Sequence, residues 1–538
     1  MDRYVQSGLL SECAAAMVML PVCVHTLYQP ERKGKPMKLV CLLEQLKKED
    51  EIIALRGNTE IEVTDLVYDT RKDIKEGSLF VCISGAVFDG HDYIATAIEK
   101  GAAVIVTERE VSVPDFVTLV VVKNTRKGLA YLSAAWFSYP AKELITIGIT
   151  GTKGKTTTAY MVHHILESVG IKAGLVGTVE VRNGATVISS SHTTPESFLL
   201  QKYFREMVDN GCKAVVMEVS SQALKLFRVG GILFDYGVFT NLEPDHIGPN
   251  EHTDFDDYAE CKARLFRQCR FGILNADDPN MSRMLEASTC DYMTYGCKNK
   301  ADLVATNIDL HRNDGKLMVT YRTEGTLETD IAVAVPGMFT VYNSLTAVAI
   351  CMQLRVPVET MKQAFLEVQV KGRLESVPVS DRFSVMIDYA HNAMSLKSLL
   401  TALKEYKPKR LVCLFGCGGN RARDRRFEMG EISSRYADLT IVTSDNPRNE
   451  EPEAIIEDIL TGVKKATGAY VTVPDRKEAI RYALLNAKEE DVIVLAGKGH
   501  EDYQEIKGVK YPMDERVLIR EIIAEMTPEE KVKLGIIS

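Results

Sequence analysis

The stretch Gly148 to Thr158, "GITGTKGKTTT", constrains this chain more than any other. The apolar run "ELITIGIT" leads into it. Beyond it Met161, Val162, Ile165, Leu166 and Val169 recur at helical spacing up to Gly170, a natural residue to end a helix. A strand that runs through glycines into a helix start turns several backbone N–H groups, and the positive end of the helix dipole, toward one point. Phosphate suits that point. Gly151 and Gly154 let the backbone close around phosphate oxygens, with Thr152, Lys153 and Thr157 in the same loop. Lys155 is placed to reach the outer phosphates and the Thr156 hydroxyl to hold Mg²⁺. The strict GxxxxGK[ST] spacing fails, because Ile149 stands five before Gly154. The context predicts nucleotide binding in an α/β unit, but the loop alone does not separate a GTPase switch from an ATP-driven enzyme.

The rest of the chain narrows the class. Its 538 residues suggest three or four domains, and 46% hydrophobic with 26% charged residues is a soluble globular composition. A net charge of −9 argues against a nucleic-acid partner. Twelve cysteines with no CxxC pair read as reduced thiols of a cytosolic enzyme rather than a zinc site. "CAAAMVMLPVCV" near the start is too short to span a bilayer and contains Pro21, while Asp2 and Glu12 spoil a signal peptide's basic opening. No membrane insertion is expected, and residues 1–36 read as an appendage from a misassigned start.

Three units should follow: residues 37–141 with mixed short strands and helices, 142–371 around the phosphate loop, and 372–538. Asn313-Asp314-Gly315 signals a hairpin late in the second unit. In the third, "FSVMID", "RLVCLFG", "DLTIVTS" and "DVIVLAG" alternate with helical patterns, as in a parallel, doubly wound sheet. Ligands bind beyond the carboxyl ends of such strands, where Asp388, Gly416, Asp445 and Gly497 would lie.

The ordered series "GTKGKTTT", "TTPES", "EVSSQAL", "FTNLEPDH", "YAECKARLF", "GMFTVYN", "GRLE", "DYAH", "FGCGGNR", "DNPR" and "GKGHEDYQ" resembles the Mur ligases over about residues 40–520. The resemblance implies a three-domain architecture: a UDP-substrate domain, a central P-loop ATPase domain and a C-terminal Rossmann-like domain. It also implies a reaction. ATP phosphorylates a carboxylate, and an amine then attacks the acyl phosphate to form an amide. By that resemblance Glu218 is a Mg²⁺ ligand, His246 a partner of a second metal, and Lys262 a lysine that CO₂ converts to a metal-binding carbamate. Lys262 shares a helical face with Tyr258 and Phe266, and burial would supply the neutral amine that this reaction needs. Asn343, Arg373 and Asp388 match adenine- and phosphate-side positions, with Arg373 at the expected interdomain hinge. Thr70, Thr193, Thr194, Ser220 and Arg228 match positions for the substrate UDP-MurNAc-L-Ala-D-Glu. Lys153 and Leu226 depart from the residues usual in the family.

The third unit bears on which amino acid is added. In this family D-N-P-R accompanies meso-diaminopimelate, and members that add lysine generally lack its arginine. Asp445, Asn446 and Arg448 match, accompanied by Arg421, Gly497 and Glu501. A bidentate arginine suits a distal carboxylate that lysine does not have. The expected enzyme is therefore a monomeric, cytoplasmic, ADP-forming ligase for diaminopimelate. The alternatives are the same ligation with L-lysine or another diamino acid, a folylpolyglutamate synthase-like ligase, and a non-catalytic nucleotide-binding subunit.

Overall fold

The computed structural model describes residues 36–85, 88–248, 251–286, 288–313 and 315–536. The expected appendage, apart from Pro36, lies outside them.

Three sheets organise the chain. The first is five-stranded, in the order Ile52–Arg56, Thr118–Val122, Ala102–Thr107, Ser78–Val81, Leu66–Val67. Its side chains alternate between two cores, with Leu79, Val81, Val104 and Val120 on one face and Phe80, Ile105, Leu119 and Val121 on the other. The unit docks on the next through Phe198, whose ring centroid lies 5.8 Å from that of Tyr68 and 5.1 Å from that of Phe137.

The second sheet has eleven strands. Its centre is parallel: Ala173–Val176, Ala214–Glu218, Ile145–Thr150, Phe234–Phe239 and Cys269–Asn275 lie side by side. Helices Lys155–Ser168 and Met338–Gln353 bury one face of it, and Ser197–Asp209 and Phe255–Arg267 the other. The expected hairpin joins Leu303–Asn313 to Lys316–Gly325 with Asn313 opposite Lys316, Asp314 lying outside the described residues.

The third sheet runs Ser384–Asp388, Asp491–Ala496, Arg410–Phe415, Leu439–Val442, Ala469–Thr472, all parallel, with Glu375–Val377 antiparallel at one edge. Both of its faces are covered, which explains why these strands read as unbroken apolar runs. Asp388, Gly416, Asp445 and Gly497 lie at or just past the carboxyl ends. No helix among the described residues is long and apolar enough to cross a membrane.

Candidate active site

The phosphate loop leaves the strand at Thr150 and enters the helix at Lys155. Gly151 (φ +146°) and Gly154 (φ +87°) take conformations that L side chains avoid. A Cβ on Gly151 would fall 2.0 Å from Thr240 Oγ1, and one on Gly154 2.5 Å from Asn343 Oδ1, so neighbouring chain presses against both. Lys155 Nζ donates to the carbonyls of Gly151 and Thr152 at 2.8 and 2.9 Å. Lys153 is exposed and pairs with Glu243 at 2.6 Å, while Thr152 Oγ1 meets Tyr258 Oη at 3.0 Å. Asn343 is buried on the loop, and its Nδ2 has no partner among the described residues, which leaves a donor for a ligand.

Glu218 closes the neighbouring strand and is 1% exposed. It accepts hydrogen bonds from Thr156 Oγ1 (2.9 Å), Thr178 N (2.7 Å) and Thr178 Oγ1 (3.1 Å), with no lysine or arginine among these donors. A buried carboxylate flanked by hydroxyls is the hard-oxygen set that Mg²⁺ favours. Thr178 has no sequence signature; only the fold brings it to Glu218. The same cluster reaches the next loop, where Thr193 Oγ1 lies 3.0 Å from Thr178 Oγ1 and Thr194 Oγ1 donates to the Glu218 carbonyl at 2.8 Å. Ser220 caps its short helix and Arg228 donates to the Thr194 carbonyl at 3.1 Å, leaving its buried Nε without a hydrogen-bond partner among the described residues.

Lys262 is 1% exposed, and its Nζ lies 4.5 Å from the centre of the Tyr258 ring. That Nζ donates at 2.8 Å to the Gly151 carbonyl, which also accepts from Lys155. Burial, with Lys155 adding to it, holds the Lys262 amine well below the ordinary lysine range, and burial also lowers Lys155. His246 is exposed, in left-handed backbone (φ +55°), with Nδ1 3.3 Å from Glu251. It makes no hydrogen bond to Glu218 or Lys262 but lines the same cleft as Lys155.

That cleft, about 1060 Å³, has Thr193, Thr194, Ser220 and Arg228 on the central unit and Tyr389, His500 and Glu501 on the C-terminal unit. A second hollow of about 810 Å³ is lined by the phosphate loop, Glu218, Asn343, Arg373 and Asp388. Thr70 belongs to neither. The Asp388 carboxylate is buried and engaged by the backbone N–H groups of Leu374 and Ala390, each at 2.8 Å, so it shapes the turn that carries Arg373. The Arg373 guanidinium lies 5.4 Å from the Tyr389 ring centre, and that ring meets His391 and His500 at tilted angles, with centroids 4.6 and 4.7 Å away.

At the carboxyl edge, Asn446 is 2% exposed and donates to Glu501 at 2.9 Å. Lys498, wholly buried, donates to Asn446 Oδ1 (3.0 Å), Glu501 (2.8 Å) and the Tyr503 carbonyl. Nothing in "GKGHEDYQ" marks Lys498 for this place; only the fold brings its amine to Asn446 and Glu501. Arg448 meets Glu505 Oε2 at 3.1 Å and the Gly419 carbonyl at 2.8 Å. Gly497 packs against Asp445, to which a Cβ there would come within 3.1 Å. Behind these loops buried Arg476, which pairs with Glu515 at 2.9 Å, donates to the carbonyls of Ser444 and Ala496, both at 3.1 Å, tying the loop that follows Leu439–Val442 to the end of Asp491–Ala496. Arg421 is exposed, outside this cluster.

A phosphate loop beside a hydroxyl-flanked carboxylate, with a cleft shared with the C-terminal unit, suits an ATP-using enzyme. Family models agree: the Mur ligase middle domain matches residues 149–351, the Mur ligase glutamate ligase domain 372–499, and the Mur ligase family catalytic domain 66–138. The chain belongs to the Mur ligase family. It is 42% identical over 490 residues to the UDP-N-acetylmuramoyl-L-alanyl-D-glutamate–2,6-diaminopimelate ligase of Caldanaerobacter subterraneus, covering 91% of this chain and 99% of that protein. It is 41% identical over 496 residues to the Clostridioides difficile enzyme of the same name, covering 91% and 100%. A solved structure of a ligase of that name superposes with a TM-score of 0.67 at 26% identity, covering 88% of this chain and 97% of that one.

Proposed function

We propose that the chain is an ATP-dependent ligase that joins meso-2,6-diaminopimelate to UDP-MurNAc-L-Ala-D-Glu, acting as a cytoplasmic monomer. The observation that carries this is the convergence of Thr156 and Thr178 on Glu218, beside two lysines that share the Gly151 carbonyl. Phosphate from ATP goes to the terminal carboxylate of the UDP-linked peptide. The amine of the incoming amino acid then attacks the acyl carbon and expels phosphate.

The loop N–H groups and Lys155 neutralise the transferring phosphate, and Asn343 Nδ2 is the donor left for the nucleotide. Thr156 and Glu218 would hold Mg²⁺, which supplies charge neutralisation when bound. Lys262, whose pKa burial pulls well down, is the amine for a CO₂-derived carbamate, and His246, with its exposed ring near Glu251 and Asp245, is the candidate partner for a second ion. Thr193, Thr194, Ser220 and Arg228 present hydroxyls and a guanidinium to the peptide-bearing substrate. Asp445, Asn446, Arg448, Gly497 and Glu501 recognise the amino acid, with Arg448 taking the distal carboxylate.

Lys262→Ala should abolish ATP-dependent phosphate release, and added bicarbonate should not restore it. Turnover near that of the wild type would refute the proposed role of the lysine.

A further inference from the structure

The way Arg448 is held contains more than the clamp itself. Its backbone is left-handed, with φ +54°, a conformation that a non-glycine residue keeps only when its surroundings impose it. The hairpin of Tyr503–Ile506 and Val509–Pro512 supplies those surroundings. Arg448 N donates to the Glu505 carbonyl at 3.0 Å, Lys507 N donates to the Arg448 carbonyl at 2.7 Å, and Glu505 N donates to Asn446 Oδ1 at 2.9 Å. The Glu505 side chain then takes Arg448 Nε at 3.1 Å, and the Gly419 carbonyl takes Nη1 at 2.8 Å. Nη2 has no hydrogen-bond partner among the described residues.

We propose that Glu505 is a specificity-determining positioning residue: by anchoring Arg448 through Nε it fixes the guanidinium plane and leaves Nη2 as the donor for a carboxylate on the amino-acid substrate. This rests on the reading of the chain as a diaminopimelate ligase. A carboxylate that competed with the substrate would take two prongs of the guanidinium fork, whereas Glu505 takes one, and from the side opposite Nη1. Lysine has no second carboxylate for Nη2, so the same anchoring does nothing for it.

The test is steady-state phosphate release with saturating ATP and UDP-MurNAc-L-Ala-D-Glu, varying meso-diaminopimelate or L-lysine, for the wild type, Glu505→Ala and Glu505→Gln. Glu505→Ala should raise KM for diaminopimelate about tenfold, the scale of one charge-assisted contact, and lower the diaminopimelate-to-lysine ratio of kcat/KM with it. KM for ATP, kcat and the melting temperature should hold. Glu505→Gln, which keeps an acceptor for Nε, should recover most of the loss. An unchanged or lower KM for diaminopimelate in Glu505→Ala overturns the assignment. Should that variant fail to fold, Glu505→Asp, one methylene shorter, replaces it under the same criterion. A wild type that releases no phosphate with diaminopimelate would instead sink the functional reading, and this inference with it.

Discussion

Arg448 and His500 show how single side chains acquire a job from their neighbours. Arg448 is 23% exposed at its side chain and tethered at two of its three nitrogens, so replacing it removes a donor that is already oriented. Arg448→Ala should reduce kcat/KM for diaminopimelate on the order of 100-fold, the range for truncating a hydrogen-bonded charge, while nucleotide affinity by calorimetry stays put. Equal losses in both would place Arg448 in general folding rather than in recognition. His500 sits against Tyr389, and burial, with Arg373 adding to it, pulls its pKa down to about 4 from 6.5. The folded state therefore binds fewer protons than the unfolded chain between those values. Its contribution to stability is present above pH 6.5 and is lost as pH falls through about 4. Denaturant unfolding across that window should show stability falling on acidification, less steeply in His500→Gln; an identical slope in the variant would count against the burial argument.

Among elements, the phosphate loop tolerates least. Gly154→Ala would place a methyl group 2.5 Å from Asn343 Oδ1 in a backbone region that costs an L residue roughly 1–2 kcal/mol. Calorimetry should show weakened ADP binding, and wild-type affinity would mean that the loop reshapes on binding. Elements of this kind were legible in the sequence because their signals are local. The glycines, the helical spacing after Lys155 and the four apolar runs of the third unit each report on their own few residues, and all four runs are parallel strands. What was not legible is pairing over distance. Thr178 meets Glu218 across 40 positions and Arg448 meets Glu505 across 57, and nothing near either residue announces the partner. Asp388 was placed at the right edge, yet its carboxylate is spent on two backbone N–H groups, a detail decided by the turn at Leu374 (φ +41°).

For the whole molecule, the division of labour is spatial. The central sheet brings Lys155, Glu218 and Lys262 to one loop, and the C-terminal sheet brings Asn446, Arg448 and Lys498 to its carboxyl edge. Tyr389 and His500 line the cleft between them. Arg373 stands where the chain passes from one unit to the other and lines the hollow beside the phosphate loop. The central claim is that this cleft spends ATP on joining diaminopimelate, and phosphate release by the wild-type chain with UDP-MurNAc-L-Ala-D-Glu, ATP and Mg²⁺ tests it most directly. With meso-diaminopimelate, release should be rapid; with L-lysine or no amino acid it should be slower by about 10⁴-fold or more, as for a site built around a group the competitor lacks. Comparable release with lysine, or none with diaminopimelate, would contradict the account.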